Sequence, residues 1–110
     1  MIAMPLRMFR LAPGQSARYR VRPVGGGERP ELSLLVLRPD EGLSTQLQLE
    51  LFDALGGLVD VGRVPIDEGY MAVLKEVRSQ LHSVSKWRED KEFDLVPEDV
   101  QLAEGEASTG

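Results

Sequence analysis

From Thr45 to Phe52 the chain reads TQLQLELF, with leucine at 47, 49 and 51 and polar side chains at 46, 48 and 50. Successive side chains of a strand point to opposite faces, so this run fits a strand with one dry and one wet face. A helix would repeat its apolar positions every three or four residues. Neighbouring segments share the period. In "ARYRVRPV" (17–24), Tyr19 and Val21 fall on one side and Arg18, Arg20 and Arg22 on the other. Pro23 lacks a backbone donor and suits a strand end or edge. "ELSLLVLR" (31–38) is almost continuously apolar, which predicts a central strand buried on both faces. "DALGG" (53–57) turns the chain, and "LVDVGRVPI" (58–66) returns with Val59 and Val61 expected inward. "LRMFRL" (6–11), followed by Pro13-Gly14, reads as the first strand of a hairpin with 17–24.

The period changes at Asp67, which is placed to cap a helix over 67–87. Tyr70, Leu74, Val77, Leu81, Val84 and Trp87 form its apolar stripe. The expected fold is α+β: an antiparallel meander of about five strands (6–11, 17–24, 31–38, 45–52, 58–66) packed on one C-terminal helix. Residues 1–87 form the domain, and 88–110 an acidic, partly disordered tail.

Charge is unevenly spread. Six arginines stand against Glu28 alone in residues 1–30, and residues 88–110 hold two basic against eight acidic side chains. The formal net charge of -5 therefore comes from the tail. With no cysteine and His82 as the single histidine, zinc-thiolate sites, cysteine nucleophiles and histidine pairs are excluded. "VGGGERP" lacks the lysine and the following helix of a phosphate loop. The chain reads as non-catalytic, with no metal and no cofactor. No apolar run approaches the roughly 20 residues that span a bilayer. "MIAMPLRMFRL" lacks the apolar core and cleavage site of a secretory signal. The expected location is the cytoplasm of a bacterial or phage-infected cell, with no membrane partner.

Arg18, Arg20 and Arg22 would stand about 6.5–7 Å apart on one strand face, near the phosphate repeat of an extended single strand. Guanidinium forks bind phosphate and stack on bases. Arg7 and Arg10 would join them from the neighbouring strand. The plainer reading is a solvated edge whose charge prevents aggregation.

The order of hairpins, Gly-Arg, strand end and helix resembles the single-stranded DNA-binding fold of the Whirly proteins and the positive-cofactor coactivators. Small phage single-strand binders share it. The similar stretch, 47–81, covers about a third of the chain, and its local likeness is Gly62–Ile66 and Leu74–Glu76. Pro65 stands where that pattern has glycine. The resemblance implies a homodimer that binds single-stranded DNA through strand residues, with Arg63 as the phosphate contact, and dimerises through its helices. The expected function is single-stranded DNA binding by Arg7, Arg10, Arg18, Arg20, Arg22 and Arg63. The acidic tail would modulate binding or recruit a protein partner. The alternative is a protein-interaction module with no nucleic-acid role: an adaptor, an inhibitor of a host enzyme or a structural subunit.

Overall fold

A computed structural model of the chain describes residues 6–25, 28–41, 45–89 and 92–98. The class is α+β. Strands β1 (Ser16–Pro23), β2 (Leu32–Leu37), β3 (Gln46–Phe52), β4 (Leu58–Pro65) and β5 (Phe93–Pro97) form one antiparallel sheet in the order β4-β3-β2-β1-β5. The first four follow chain order as a meander. The chain then crosses one face through helix α1 (Gly69–Gln80) and adds β5 at the far edge, beside β1.

Two expectations about the ends are corrected. Leu6–Arg10 is a 3-10 helix, not a strand. Its arginines and its apolar pair Met8 and Leu11 are each three residues apart, the repeat of that helix rather than of a strand. Met8 and Leu11 are buried. The missing strand is β5, so the boundary expected after residue 87 falls inside the sheet. The expected disorder of the tail's last residues lies outside the described residues.

The helix is also shorter than expected, and it sits mid-chain rather than at the C-terminus. It stops at Gln80, and the path continues as 3-10 turns Leu81–Ser83 and Ser85–Trp87 around an extended Val84. Serine competes for the backbone and valine crowds the preceding turn, so "HSVS" sustains a helix poorly. Asp67 does not cap α1; it lies in the 3-10 turn Ile66–Glu68, and α1 begins without a side-chain cap. Gly69 joins the two at φ 81°, a left-handed conformation that favours glycine.

The inner face of the sheet carries Tyr19, Val21, Leu34, Val36, Leu47, Leu49 and Leu51, all fully buried against Met8, Val73, Val77, Leu81 and Trp87. Each such leucine contributes about 2 kcal/mol of transfer free energy. Gly62 lies opposite Leu49 on that face, and a Cβ there would collide with the Glu76 carboxyl group, 2.8 Å from its Cδ. The bare backbone lets α1 close on β4, and Gln80 Nε2 donates to the carbonyl of Leu49 on the neighbouring β3 at 3.1 Å. The other face has no second layer among the described residues. β2 is central, as expected, but buried on one side: Leu35 and Leu37 are half-buried. Val61 pairs with Glu50 on the open face and is 44% exposed, against the inward orientation expected for it.

β5 is fastened by Arg29, a loop cation in the sequence that is buried in the fold. It donates to the carbonyls of Glu92 (2.8 Å) and Val24 (2.5 Å) and stacks 4.6 Å from the Trp87 ring centroid. Trp87 Nε1 donates to the Pro30 carbonyl at 2.9 Å. The clasp joins the chain before β2 to the chain before β5.

Candidate functional site

The open face of the sheet is built from alternate residues of all five strands, and the pairing register arranges them in rows. One row runs Leu58, Phe52, Ser33, Arg20, Val96; the next runs Val61, Glu50, Leu35, Arg18; the third runs Arg63, Gln48, Leu37, Ser16. An antiparallel sheet with one solvated face usually alternates apolar-in and polar-out cleanly. Here Leu35, Leu37, Phe52, Val61 and Val96 interrupt the polar side. The apolar character grows toward the β3–β4 turn, where Leu58 is 57% and Leu55 96% exposed. That turn is rigid: Asp53 Oδ1 accepts from the N–H groups of Leu55 (2.9 Å) and Gly57 (2.8 Å).

The arginine row stands as its alternation predicts. Arg18, Arg20 and Arg22 lie on the open face, opposite the buried Ala17, Tyr19 and Val21. Each of the cations whose ion pairs are resolved meets a carboxylate. Arg20 and Arg22 share Glu31 at 3.7 and 3.9 Å, and Arg63 meets Glu41 at 3.4 Å. Arg63 also donates to Gln48 Oε1 at 3.1 and 3.2 Å, and Gln48 Nε2 donates to Glu50 at 2.7 Å. Arg63 thus belongs to the same face as the β1 arginines. Arg7 and Arg10 do not: they are exposed on the 3-10 helix, not on a strand beside β1. The helix stripe expected to form an interface belongs to the chain's own core. Val77, Leu81 and Trp87 are fully buried, and Tyr70, Leu74 and Val84 pack against them.

Sequence reasoning missed the apolar half of this face. Leu35 and Leu37 were hidden in an apolar run that reads equally well as two buried faces; Glu31 stands at the start of that same expected strand, and Glu41 sits in a loop whose course the sequence leaves open. The sheet edges are poor docking sites. The Val61 N–H donates to Oδ1 of the adjacent Asp60 at 2.9 Å, and Pro65 has no donor to offer. β5 is five residues long and ends in proline.

On the helix side two ionisable groups are perturbed. Burial pushes the Tyr70 hydroxyl up to about 12, helped by the charge of Asp94. Burial and the nearby Asp60 raise the Glu76 carboxyl above the ordinary glutamate value. Among the described residues no group of three or more His, Asp or Glu side chains is placed to hold a metal ion. No protein-family model, no curated protein and no solved structure matches this chain, so what it does is argued from the sheet and its open face.

Proposed function

We propose that the protein is a non-catalytic interaction module that docks another protein on the open face of its sheet. The observation that carries this reading is the pairing of Arg20 and Arg22 with Glu31 and of Arg63 with Glu41, interleaved with Leu35, Leu37, Phe52 and Val61. Phosphate binding draws its affinity from cations that displace counterions, and a guanidinium already matched by a carboxylate releases fewer of them. A face mixing arginine, aromatic and aliphatic side chains has the composition of a protein interface. A photoreactive amino acid in place of Leu37 is expected to crosslink protein in cells, and one in place of the exposed Lys75 on α1 is not. Nucleic-acid adducts from position 37, or equal protein labelling from both positions, would overturn the reading.

A second reading, single-stranded DNA binding, is supported by the solvent-facing alternation of Arg18, Arg20 and Arg22. It expects a gel shift with a short single-stranded oligonucleotide that fades steeply with salt. Absence of a shift at low salt eliminates it.

A further inference from the structure

We propose that the partner of the open face is a second copy of this chain, packed face to face about a two-fold axis that runs along β2. The proposal rests on the reading of this face as a protein-docking surface and names its occupant.

β2 is the middle strand, with β3 and β4 on one side and β1 and β5 on the other. A two-fold axis lying over β2 and parallel to it keeps each row at its own height and exchanges the two sides. The register then fixes what meets what. In the second row Leu35 faces Leu35 of the other copy, and Glu50 faces Arg18. In the first row Ser33 meets itself, Phe52 meets Arg20 and Leu58 meets Val96. In the third row Leu37 meets itself and Gln48 meets Ser16.

The contacts named in these three rows are compatible: leucine on leucine, carboxylate on guanidinium, aromatic ring on guanidinium, aliphatic on aliphatic. The complementarity follows from the placement of Glu50, Phe52 and Leu58 on β3 and β4 and of Arg18 and Arg20 on β1. Beyond the first row the same axis brings Glu31 toward Glu31 of the other copy, each already paired with Arg20 and Arg22 of its own chain.

Size permits such an assembly. Strands about 4.8 Å apart and five to eight residues long give a face of about 20 by 25 Å, near the lower end of standard protein interfaces. Aligned packing of two twisted sheets is a common arrangement, with their inner side chains filling a layer about 10 Å thick. An interface of that size holding charged pairs at its centre gives a reversible dimer, with Kd on the order of micromolar.

Sedimentation velocity tests the proposal, with the chain titrated from about 1 to about 200 µM across the expected Kd. The wild type is expected to pass from monomer to dimer. Leu35→Lys sets two ammonium groups against each other on the axis and should weaken association by at least about tenfold. The decisive arm uses two single variants. Arg18→Glu alone faces Glu50 with a carboxylate, and Glu50→Arg alone faces Arg18 with a guanidinium, so each should be monomeric. Mixed in equal amounts they restore both contacts, and a heterodimer should form. Recovery on mixing also shows that both variants are folded. A wild type that stays monomeric over the range, a dimer indifferent to Leu35→Lys, or a mixture that does not associate would each overturn the proposal. A monomeric chain that still crosslinks a different protein from position 37 defeats the dimer and leaves the docking reading standing.

Discussion

Leu34 and Leu35 are neighbours on β2 and the same residue, yet they live in different environments. Leu34 is fully buried under the layer formed by α1 and the 3-10 segments, and Leu35 is half-buried on a face that no other described residues cover as a second layer. The same division splits β1, where Tyr19 is fully buried and Arg20 beside it meets Glu31 across water-exposed surface. The inner face is held by area removed from water, which is insensitive to salt and costly to lose. The outer face is held by exposed ion pairs, each contributing between nothing and about 1 kcal/mol. The chain therefore folds through one face and keeps the other available, so changes on the open face can alter binding with little effect on stability.

The comparison breaks most easily at the leucines themselves. Leu34→Ala leaves a cavity in a closed core and should cost about 2–5 kcal/mol in denaturant unfolding. Leu35→Ala removes a side chain that water already reaches and should cost less than about 1 kcal/mol in dilute, monomeric protein. Arg20→Ala should lie within a few tenths of a kcal/mol of the wild type. Equal costs at 34 and 35 would mean that the outer face is covered even in the single chain.

Arg29 probes the same contrast from the buried side. It is an arginine like those of β1, but it is 8% exposed and its guanidinium bridges two backbone carbonyls and the Trp87 ring. Arg29→Ala should cost about 2–4 kcal/mol, because charge-assisted bonds and a desolvated ring contact are lost together. Arg29→Lys should restore less than half, since an ammonium group cannot hold both carbonyls in one plane. Hydrogen exchange should quicken first over β5, which the clasp secures. A cost as small as that of Arg20→Ala would show that the clasp is an ornament of the loop.

The legible part of the fold was the part with a period. β1, β3 and the start of the helix declare themselves because alternation or a helical stripe runs for at least seven residues, and the arginine row follows from alternation alone; β4 is legible as a strand from the turn before it, but not in its facing, since Val61 lies outward. Where periodicity is short, tertiary contacts decide. Leu6–Arg10 is only five residues long, too short to show a period, and its 3-10 form goes with the burial of Met8 and of Leu11 just after it. β5 reads as acidic tail until β1 is present to pair with it. Neither the second face of β2 nor the burial of Arg29 can be read locally: the first depends on which face of the sheet the rest of the chain covers, and the second on Trp87 and Glu92, more than fifty residues away. For the candidate site, the cations were legible and their carboxylates were not, and the pairing of the two is what redirects the reading from phosphate to protein.

The smallest expected effect concerns a perturbed carboxyl group on the inner side. Glu76 lies over Gly62 beside Asp60, and burial together with that neighbour makes its ionised form unfavourable in the folded state. A carboxyl group whose folded value is raised binds its proton more tightly in the folded than in the unfolded chain. Its penalty is therefore absent below the ordinary glutamate range, develops as pH rises through the interval between the unfolded and folded values, and is complete above it. Glu76→Gln keeps the shape and removes the charge. It should raise the melting temperature slightly at pH 7, and the gain over wild type should shrink as pH falls through the interval between the raised folded value and the ordinary glutamate value, and vanish below it. A difference that stays constant over that span, or one that grows on acidification, would show that the ionised carboxylate is well accommodated. The inner face would then tolerate charge at its margin as readily as the outer one does.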